Sequence, residues 1–379
     1  MIYPIAVICI FYCILILYFI KGFNSLESQN DPDYSSAKNS FSILIPFRNE
    51  EQHLSNLLQS LSRLDYPEQS FEIVMINDES SDKSVEIIEQ ATGLYSNLNL
   101  VLLDRIKTGT SPKKEAIEQG IHAAQHEWII TTDADCTVPK NWLLAFDKAI
   151  EKQDPNLLVA PVTYKVAKGF LHKFQSLDFI SLQGITMGMF GLSNHKNIEP
   201  FLCNGANLCY RKKSFLDVNG FSGNKDLASG DDVFLLEKMQ TQFPEKVHFL
   251  KAVDAIVYTS PKHTFNELIQ QRVRWASKTS AYKHPFSKLV GLLVFLTNLS
   301  LITGFVLGLR GNISWLHFGF IFLLKFNVDF ILLYKTSDFF EQKELMQSYF
   351  MSSLLYPFFT VLVVLLSFKN NFTWKERRY

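Results

Sequence analysis

Four long apolar stretches constrain the fold of this chain more than any other feature of its sequence. The first runs from Ile2 to Ile20 without a charged residue, and the others crowd the C-terminal quarter at Leu289 to Leu309, Ile313 to Tyr334 and Tyr349 to Phe368. Each is about long enough to cross the hydrocarbon core of a bilayer as a helix. The sequence therefore predicts an integral membrane protein.

The N-terminal stretch is either a cleaved signal peptide or a retained anchor. No basic residue precedes it, its apolar run is longer than a signal peptide needs, and no small-residue cleavage site follows it. We expect a retained anchor at residues 1–22. Lys21 follows this anchor and Lys278, Lys283 and Lys288 flank the next span, so the region between them is expected to be cytoplasmic.

The C-terminal spans leave the topology open. With the N-terminus outside, four full spans would place the basic C-terminal tail outside too, against the preference of basic residues for the inside. The third stretch also contains Lys325 and Asp329. It is either irregular, re-entrant or partly interfacial, or its two charges pair within the helix bundle.

Composition divides the rest of the chain. A tether at 23–40 is rich in Ser, Asn, Asp and Lys, a folded domain is expected at 41–282, and a C-terminal membrane region with a basic tail follows at 283–379. Within the folded domain, residues 264–280 are typical of a helix lying on the membrane surface. Gly169 to Leu192 is either a helix that shields a binding site or dips into the bilayer, or an element of core packing.

The folded domain opens with short apolar runs that alternate with amphipathic segments. Strands are expected at 41–46, 72–77, 99–103 and 127–132, and helices near 50–63, 82–91, 113–124 and 139–151. The apolar runs are continuous, which predicts strands covered on both faces and therefore a mostly parallel sheet between helices. The expected fold class is α/β.

Polar residues follow each predicted strand. They are Arg48, Asn49 and Glu50 after the first strand, Asp78 after the second, Asp104 and Arg105 after the third, and Asp133 to Asp135 after the fourth. Parallel sheets bind ligands at the carboxyl ends of their strands, so these residues should converge on one crevice. The chain contains neither a Gly-rich dinucleotide loop nor a P-loop, so phosphate must be held in another way.

The charge balance and the cysteines exclude some classes of function. The 37 basic residues balance 37 acidic ones, so no overall positive field would recruit nucleic acid, and we expect no nucleic-acid partner. The five cysteines show no metal-ligand spacing and should stay reduced in a cytosolic domain.

Asp133-Ala134-Asp135 is the candidate metal site. Two carboxylates at i and i+2 beyond an apolar strand suit a hard divalent cation, which takes oxygen ligands and bridges to substrate phosphates. We expect Asp135, assisted by Asp133, to bind Mg²⁺ or Mn²⁺. The alternative is a turn or a helix cap, where short Asp-x-Asp strings are common.

Several motifs resemble, in the same order, those of family 2 glycosyltransferases, which have the GT-A fold and invert the anomeric centre. Ile45 to Glu51 resembles the segment under the donor nucleotide, Asn77 to Asp82 the segment whose first Asp contacts the nucleobase, and Ser111 to Ile117 the element with a Lys near the donor, although the preceding Gly is missing. The resemblance implies donor contacts from Pro46, Asn49, Glu50, Asp78, Lys113 and Asp133. For Asp82 we expect a helix cap instead.

Two later motifs extend the resemblance toward the acceptor. Ser229 to Leu235 resembles the acidic motif at a helix start, which implies that Asp232, beside Asp231, is the general base on the acceptor hydroxyl. The alternative is that both aspartates only favour the helix macrodipole. Cys203 to Asn207 resembles a segment near the acceptor in which Gly205 lets the backbone approach the sugar.

Gln271-Arg272-Val273-Arg274-Trp275 resembles the Gln-x-x-Arg-Trp motif of membrane-integrated members of that family. Arg pairs with phosphate oxygens and Trp offers a flat face to a sugar or base. The resemblance implies that Gln271, Arg272, Arg274 and Trp275 close over donor and acceptor. The alternative is an interfacial anchor without a chemical role.

Together with the apolar stretches, the resemblance implies an enzyme similar to ceramide, hopanoid or carotenoid lipid glycosyltransferases, in a bacterial inner membrane with its catalytic domain in the cytosol. It would move a sugar from a nucleotide-sugar donor, with UDP expected, to a lipid or lipid-linked acceptor. Two alternatives stay open. One is a processive polysaccharide synthase, for which three C-terminal spans are few, and the other is a catalytically silent membrane scaffold.

Overall fold

A computed structural model describes residues 2–29, 37–109, 111–193, 199–223, 230–277, 284–368, 373–374 and 377–378. The chain divides into two compact units. We call Glu27–Lys165 with Phe201–Ser260 the sheet unit, and Met1–Leu26 with Val166–Pro200 and Pro261–Tyr379 the membrane unit. This division cuts across the domain expected at 41–282, and the predicted domain boundaries stay a prediction.

The sheet unit is built on a seven-stranded sheet. Its strands are β1 Phe41–Phe47, β2 Phe71–Asn77, β3 Leu100–Asp104, β4 Trp128–Thr131, β5 Leu157–Val159, β7 Leu208–Arg211 and β8 Val247–Phe249, while β6 Val162–Tyr164 and β9 Val257–Thr259 form a separate parallel pair. The order is β3-β2-β1-β4-β7-β5-β8. Only β7, among the described strands of this sheet, runs antiparallel to its neighbours. The predicted mostly parallel α/β sheet is confirmed.

The helices of the sheet unit connect and cover these strands. They are α2 Leu54–Leu61, α3 Ser84–Leu94, α4 Pro112–Ala123, α5 Trp142–Gln153, α7 Lys212–Asp217 and α8 Asp231–Gln242, with short 3₁₀ turns at Glu68–Ser70, Pro244–Lys246 and Val253–Ala255. In α2 the leucines at 54, 57, 58 and 61 are all buried, which is the spacing of one helix face. Every residue of β2 is buried as well, as a strand covered on both faces requires.

The strand register brings the carboxyl ends of β1, β2 and β3 to one edge. Phe47 pairs with Asn77 and Asn77 pairs with Asp104, so the three strands end side by side. On the other side of β1, Leu44 pairs with Thr131 at the end of β4. The loops that carry the predicted polar residues therefore all leave the sheet at the same edge.

The membrane unit is helical. It contains α1 Ile2–Ser25, α6 Phe170–Ser193, α9 Phe265–Ser277, α10 Pro285–Leu309, α11 Trp315–Phe339 and α12 Tyr349–Ser367, with a 3₁₀ turn at Lys343–Ser348, and Thr373–Trp374 pairs with Arg377–Arg378 in a short antiparallel ladder. Among the described residues, α1, α10, α11 and the stretch Lys343–Ser367 are long and apolar enough to cross a membrane. Large apolar side chains such as Phe11, Leu316 and Phe350 are 60%, 80% and 61% exposed on them. Contiguous exposed apolar surface of this kind indicates contact with lipid.

The helices α1 and α6 meet backbone to backbone. A Cβ atom on Gly22 would lie 2.0 Å from the carbonyl oxygen of Gly188, and one on Gly191 would lie 1.9 Å from that of Gly22. Small residues at such crossings let membrane helices approach closely. The stretch Gly169 to Leu192, for which sequence left packing or a lipid-facing role open, therefore packs against α1.

The charges within α11 pair inside the helix bundle. Lys325 Nζ lies 2.6 Å from Asp329 Oδ2, and the hydroxyl of Tyr12 in α1 donates to Asp329 Oδ1 at 2.8 Å. The side chains of Lys325 and Asp329 are 7% and 18% exposed. Since α11 is continuous from Trp315 to Phe339, the two charges pair within the bundle without interrupting the helix, and the membrane topology of this stretch stays a prediction.

We predict that Asp329→Asn destabilises the protein by about 3 kcal/mol, because it leaves the charge of Lys325 buried without its counter-ion. Unfolding of the full chain in detergent measures this effect. The matched control is Asp338→Asn on the same helix, whose partner Lys343 is at the surface, and which should lower stability much less because exposed ion pairs contribute little. Equal stability of the two variants would contradict the prediction.

Candidate active site

The loops after β1 and β2 are joined through Asn49. Its φ of 51° lies in the left-handed region, which Asn tolerates better than most residues. The Asn49 amide donates to Ser80 Oγ at 3.1 Å, and its side-chain oxygen accepts from the amide of Ser81 at 2.9 Å. The amide of Glu50 donates to Ser84 Oγ at 2.8 Å. Asn49 and Glu50 thus fix the two loops to each other, and Pro46 precedes them within β1.

Asp82 fastens the same two loops. Its carboxylate accepts hydrogen bonds from the amides of Glu51 and Ser84, both at 3.0 Å. Partial burial raises the pKa of Asp82, but the hydrogen bonds from Ser84 and Glu51 outweigh it and hold that pKa below its ordinary value. Asp82 therefore bonds to the first residue of α3 from the position before the N-cap. The N-cap residue is Lys83, which makes no side-chain cap hydrogen bond, so the expected cap at Asp82 is not formed as predicted.

Asp78 lies buried beyond β2 and is held by arginines. Arg105 Nε is 2.6 Å from Asp78 Oδ1, Arg105 also bonds to Glu115, and Arg48 donates to the carbonyl oxygen of Asp78 at 3.0 Å. The side chain of Arg105 is only 3% exposed. Arg105 was expected at this edge of the sheet as a residue that follows β3. No role was predicted for it, because only the fold brings Asp78 and Glu115 to it.

Lys113 links the segment after β4 to the start of α8. Its ammonium lies 2.7 Å from Asp133 Oδ1 and 3.5 Å from Asp231 Oδ2. Burial lowers the pKa of Lys113, but the negative charges of Asp133, Asp231 and Asp232 outweigh it, so this pKa lies above its ordinary value. Lys113 is therefore a protonated cation between two acidic segments.

Gly205 completes this cluster. Its amide donates to Asp232 Oδ2 at 3.2 Å, and its carbonyl oxygen accepts from Thr131 Oγ1 at 2.9 Å. A Cβ atom at position 205 would lie 3.1 Å from Asp231 Oδ2 and 3.6 Å from Lys113 Nζ. Only a residue without a side chain leaves this space open. The fold thus brings together Lys113, Asp133, Gly205, Asp231 and Asp232, which lie far apart in the sequence.

Asp232 stands at the first turn of α8. Gly230 precedes the helix with φ of 86°, a conformation that favours glycine. Asp232 Oδ1 accepts from the amide of Val233 at 2.9 Å, while Oδ2 accepts from Gly205. Two backbone amides therefore orient the carboxylate, and an oriented carboxylate can accept a proton from a hydroxyl beside it.

The donors beyond β4 fit a hard divalent cation. In the part of the chain that the structure describes, no three or more His, Cys, Asp or Glu side chains are grouped as metal ligands, but Mg²⁺ commonly binds through one or two carboxylates, water and substrate phosphates. Asp133 and Asp135 are partly exposed and offer carboxylate oxygens. Burial, together with the charges of Asp135 and Asp133, raises the pKa of the neighbouring Cys136.

The Gln271 to Trp275 segment lies on α9, in the membrane unit. Arg272 is buried and its Nε is 2.6 Å from Asp178 Oδ2 on α6, while its guanidinium lies 4.3 Å from the ring centre of Trp275. Gln271 bonds to Arg272, and Arg274 and Trp275 are partly exposed. The helix predicted at 264–280 is present over the described residues Phe265–Ser277. That Gln271, Arg272, Arg274 and Trp275 close over substrates stays a prediction.

Curated relatives of this chain are glycosyltransferases. It is 24% identical over 237 residues to the probable glycosyltransferase YdaM of Bacillus subtilis, covering 62% of this chain and 54% of that protein. It is 35% identical over 103 residues to the beta-monoglucosyldiacylglycerol synthase of Trichormus variabilis, covering 27% of this chain and 22% of that protein. The matches thus span about half of one relative and about a fifth of the other.

The fold is similar to that of a solved glycosyltransferase. The mannosyltransferase PcManGT of Pyrobaculum calidifontis, in complex with GDP-Man and Mn²⁺, superposes with a TM-score of 0.56 at 14% identity, covering 93% of this chain and 99% of that one. The predicted GT-A-like fold is confirmed. The family model described as Glycosyl transferase family 21 matches residues 1–379, and this protein therefore belongs to glycosyltransferase family 21.

Proposed function

We propose that this protein transfers a sugar from a nucleotide-sugar donor, with UDP as the expected nucleotide, to a membrane lipid or lipid-linked acceptor, with inversion and with the help of Mg²⁺ or Mn²⁺. The observation that carries the proposal is the cluster of Lys113, Asp133, Gly205, Asp231 and Asp232. It combines an oriented carboxylate, a cation and carboxylate ligands for a metal in one place. Those are the groups that sugar transfer from a diphosphate needs.

The donor diphosphate is assigned to Asp133, Asp135 and Lys113. A bound divalent cation would neutralise the charge that develops on the departing diphosphate. The ammonium of Lys113, 2.7 Å from Asp133, would be close enough to this segment to bind a phosphate oxygen of the donor. The PcManGT complex contains a nucleotide sugar together with Mn²⁺, which supports this assignment.

The nucleoside is assigned to the loops after β1 and β2, with Pro46, Asn49, Glu50 and Asp78 as the contacting residues. Asp78 is oriented by Arg105, and Asn49 fixes both loops. A rigid, prearranged carboxylate loses little freedom when it accepts a hydrogen bond from a base. This rigidity supports Asp78 as the base contact.

Asp232 is assigned the role of general base. The acceptor hydroxyl oxygen would attack the anomeric carbon from the face opposite the diphosphate, and its proton would pass to the Asp232 carboxylate. The new carbon–oxygen bond forms as the bond to the diphosphate breaks, and the diphosphate leaves with that electron pair. One such displacement inverts the anomeric centre. The amides of Gly205 and Val233 hold the carboxylate in position for this step.

A membrane acceptor is supported by the helices of the membrane unit. Among the residues that the structure describes, four helical segments are long and apolar enough to cross a bilayer, and the Trichormus variabilis relative is by name a synthase of a glycosylated diacylglycerol. We place the protein in a bacterial inner membrane with the sheet unit in the cytosol, because the basic residues Lys21 and Lys288 flank the spans on that side.

We predict that Asp232→Asn lowers the rate of sugar transfer by about 100-fold or more, because the amide cannot take the proton. Labelled nucleotide-sugar transfer to membrane lipid measures the rate, and calorimetric titration of the nucleotide should give unchanged affinity. Asp217→Asn, at an exposed position on α7, is the matched control and should be fully active. If the protein is a catalytically silent scaffold, the wild-type protein, Asp232→Asn and Asp217→Asn should all give the same background level of labelled lipid.

A second prediction concerns the metal. Chelator should abolish transfer and added Mn²⁺ or Mg²⁺ should restore it, whereas Asp135→Ala should require a higher metal concentration because one carboxylate ligand is lost. The metal concentration for half-maximal transfer is the measured quantity. Full activity of the wild-type protein in excess chelator would remove the metal from the proposal.

A third prediction concerns the space at Gly205. Gly205→Ala should lower transfer by about 10-fold or more, because its Cβ would press on Asp231 and displace Asp232 from its position. Gly93→Ala, in α3 with nothing near its Cβ, is the control and should keep its activity and gain slightly in stability. Equal activity of the two variants would argue against a close approach at Gly205.

A further inference from the structure

The contact between α6 and α9 contains a buried ion pair. Arg272 Nε on α9 lies 2.6 Å from Asp178 Oδ2 on α6, and the two side chains are only 6% and 7% exposed. A buried charge is costly unless it is paired. The carboxylate of Asp178 therefore fixes the position of the Arg272 guanidinium.

Arg272 in turn contacts two other residues of its segment. Its guanidinium lies 4.3 Å from the ring centre of Trp275, a cation–π distance. Its Nη1 donates to the side-chain oxygen of Gln271. Because Arg272 contacts both Gln271 and Trp275, the position of its guanidinium also affects the positions of those two side chains.

The residue after Asp178 contacts the same tryptophan. The ring centres of Phe179 and Trp275 are 5.8 Å apart with their planes inclined at 39°. Two consecutive residues of α6 therefore contact the Gln271 to Trp275 segment: Asp178 pairs with Arg272, and Phe179 packs on Trp275.

The start of α9 is also tied to α6. The side-chain amide of Gln175 donates to the carbonyl oxygen of Lys262 and accepts from its amide, both at 2.8 Å. Helix α6 is itself fixed to α1 by the glycine contacts at Gly22, Gly188 and Gly191. Helix α6, which holds the Gln271 to Trp275 segment, is therefore packed against a candidate membrane span.

We propose that Asp178 is a positioning residue for sugar transfer, whose carboxylate fixes Arg272 and thereby sets the orientation of Gln271 and Trp275. This inference rests on the proposed function, together with the prediction that the Gln271 to Trp275 segment closes over donor and acceptor. It assigns a role in the reaction to α6. A role limited to stability would leave Trp275 in place and activity unchanged in any variant that remains folded.

The test uses full-length protein in lipid nanodiscs. The chain has five tryptophans, so the fluorescence of each variant is measured with and without the additional substitution Trp275→Phe. The difference between the two emission intensities is the emission of Trp275. With Asp178→Asn, acrylamide should quench Trp275 more strongly. The kcat for sugar transfer should fall by about 10- to 100-fold because a displaced binding group costs that much, while nucleotide affinity stays unchanged. Asp178→Glu, which keeps the charge, should recover most of both effects.

Asp329→Asn is the matched control, since it breaks another buried ion pair of the membrane unit. It should lower stability without changing Trp275 quenching or kcat. Arg272→Lys is the second variant, because it keeps the charge opposite Asp178 but loses the planar guanidinium beside Trp275. It should fold normally, and should raise Trp275 quenching and lower kcat.

If acrylamide quenches Trp275 in both Asp178→Asn and Arg272→Lys as it does in the wild-type protein, the inference is overturned. It is also overturned if Trp275 is quenched as strongly in Asp329→Asn as in Asp178→Asn. The quenching measurement needs no catalysis. If the wild-type protein transfers no sugar, the proposed function fails, while the effect of Asp178 on Trp275 is still decided by fluorescence.

Discussion

The ion pairs of Lys113 with Asp133 and Asp231 are the interaction on which the candidate site depends. They join the segment after β4 to the first turn of α8, which are separated by almost a hundred residues of chain. Without a cation between them, the carboxylates of Asp133, Asp231 and Asp232 would repel each other at close range. Gly205 fits into the same cluster because it has no side chain, and its amide orients Asp232.

The sheet makes this arrangement possible by bringing distant loops to one edge. Continuous apolar runs predicted the first four strands correctly, because strands buried on both faces need little else to be recognised. The polar residues that follow them were also predicted, since ligand sites of parallel sheets lie at the strand ends. The short strands β5 to β9 were not predicted, because three or four residues carry too little periodicity to distinguish a strand from a buried loop.

The partners of buried polar side chains could not be predicted from the sequence. Arg105 has an unremarkable sequence context, and only the fold shows that Asp78 and Glu115 surround it. The pairing of the charges of α11 could not be predicted from sequence, because Tyr12, which bonds to Asp329, lies near the other end of the chain. Asp178 lay within an apolar stretch whose role was ambiguous, and its value becomes visible only beside Arg272. In each case the decisive neighbour is distant in sequence, so no local pattern could reveal it.

The most direct test of the central claim is a donor screen with the purified full-length protein and membrane lipid extract. UDP-, GDP- and dTDP-sugars carrying a label in the sugar are each offered, and the products are separated by size. Sugar transfer to a membrane lipid should give a lipid-soluble product that carries one labelled sugar and is formed from a UDP-sugar. A ladder of polymer would contradict the single-transfer account and favour a polysaccharide synthase, and the absence of any labelled product from all donors would contradict sugar transfer itself.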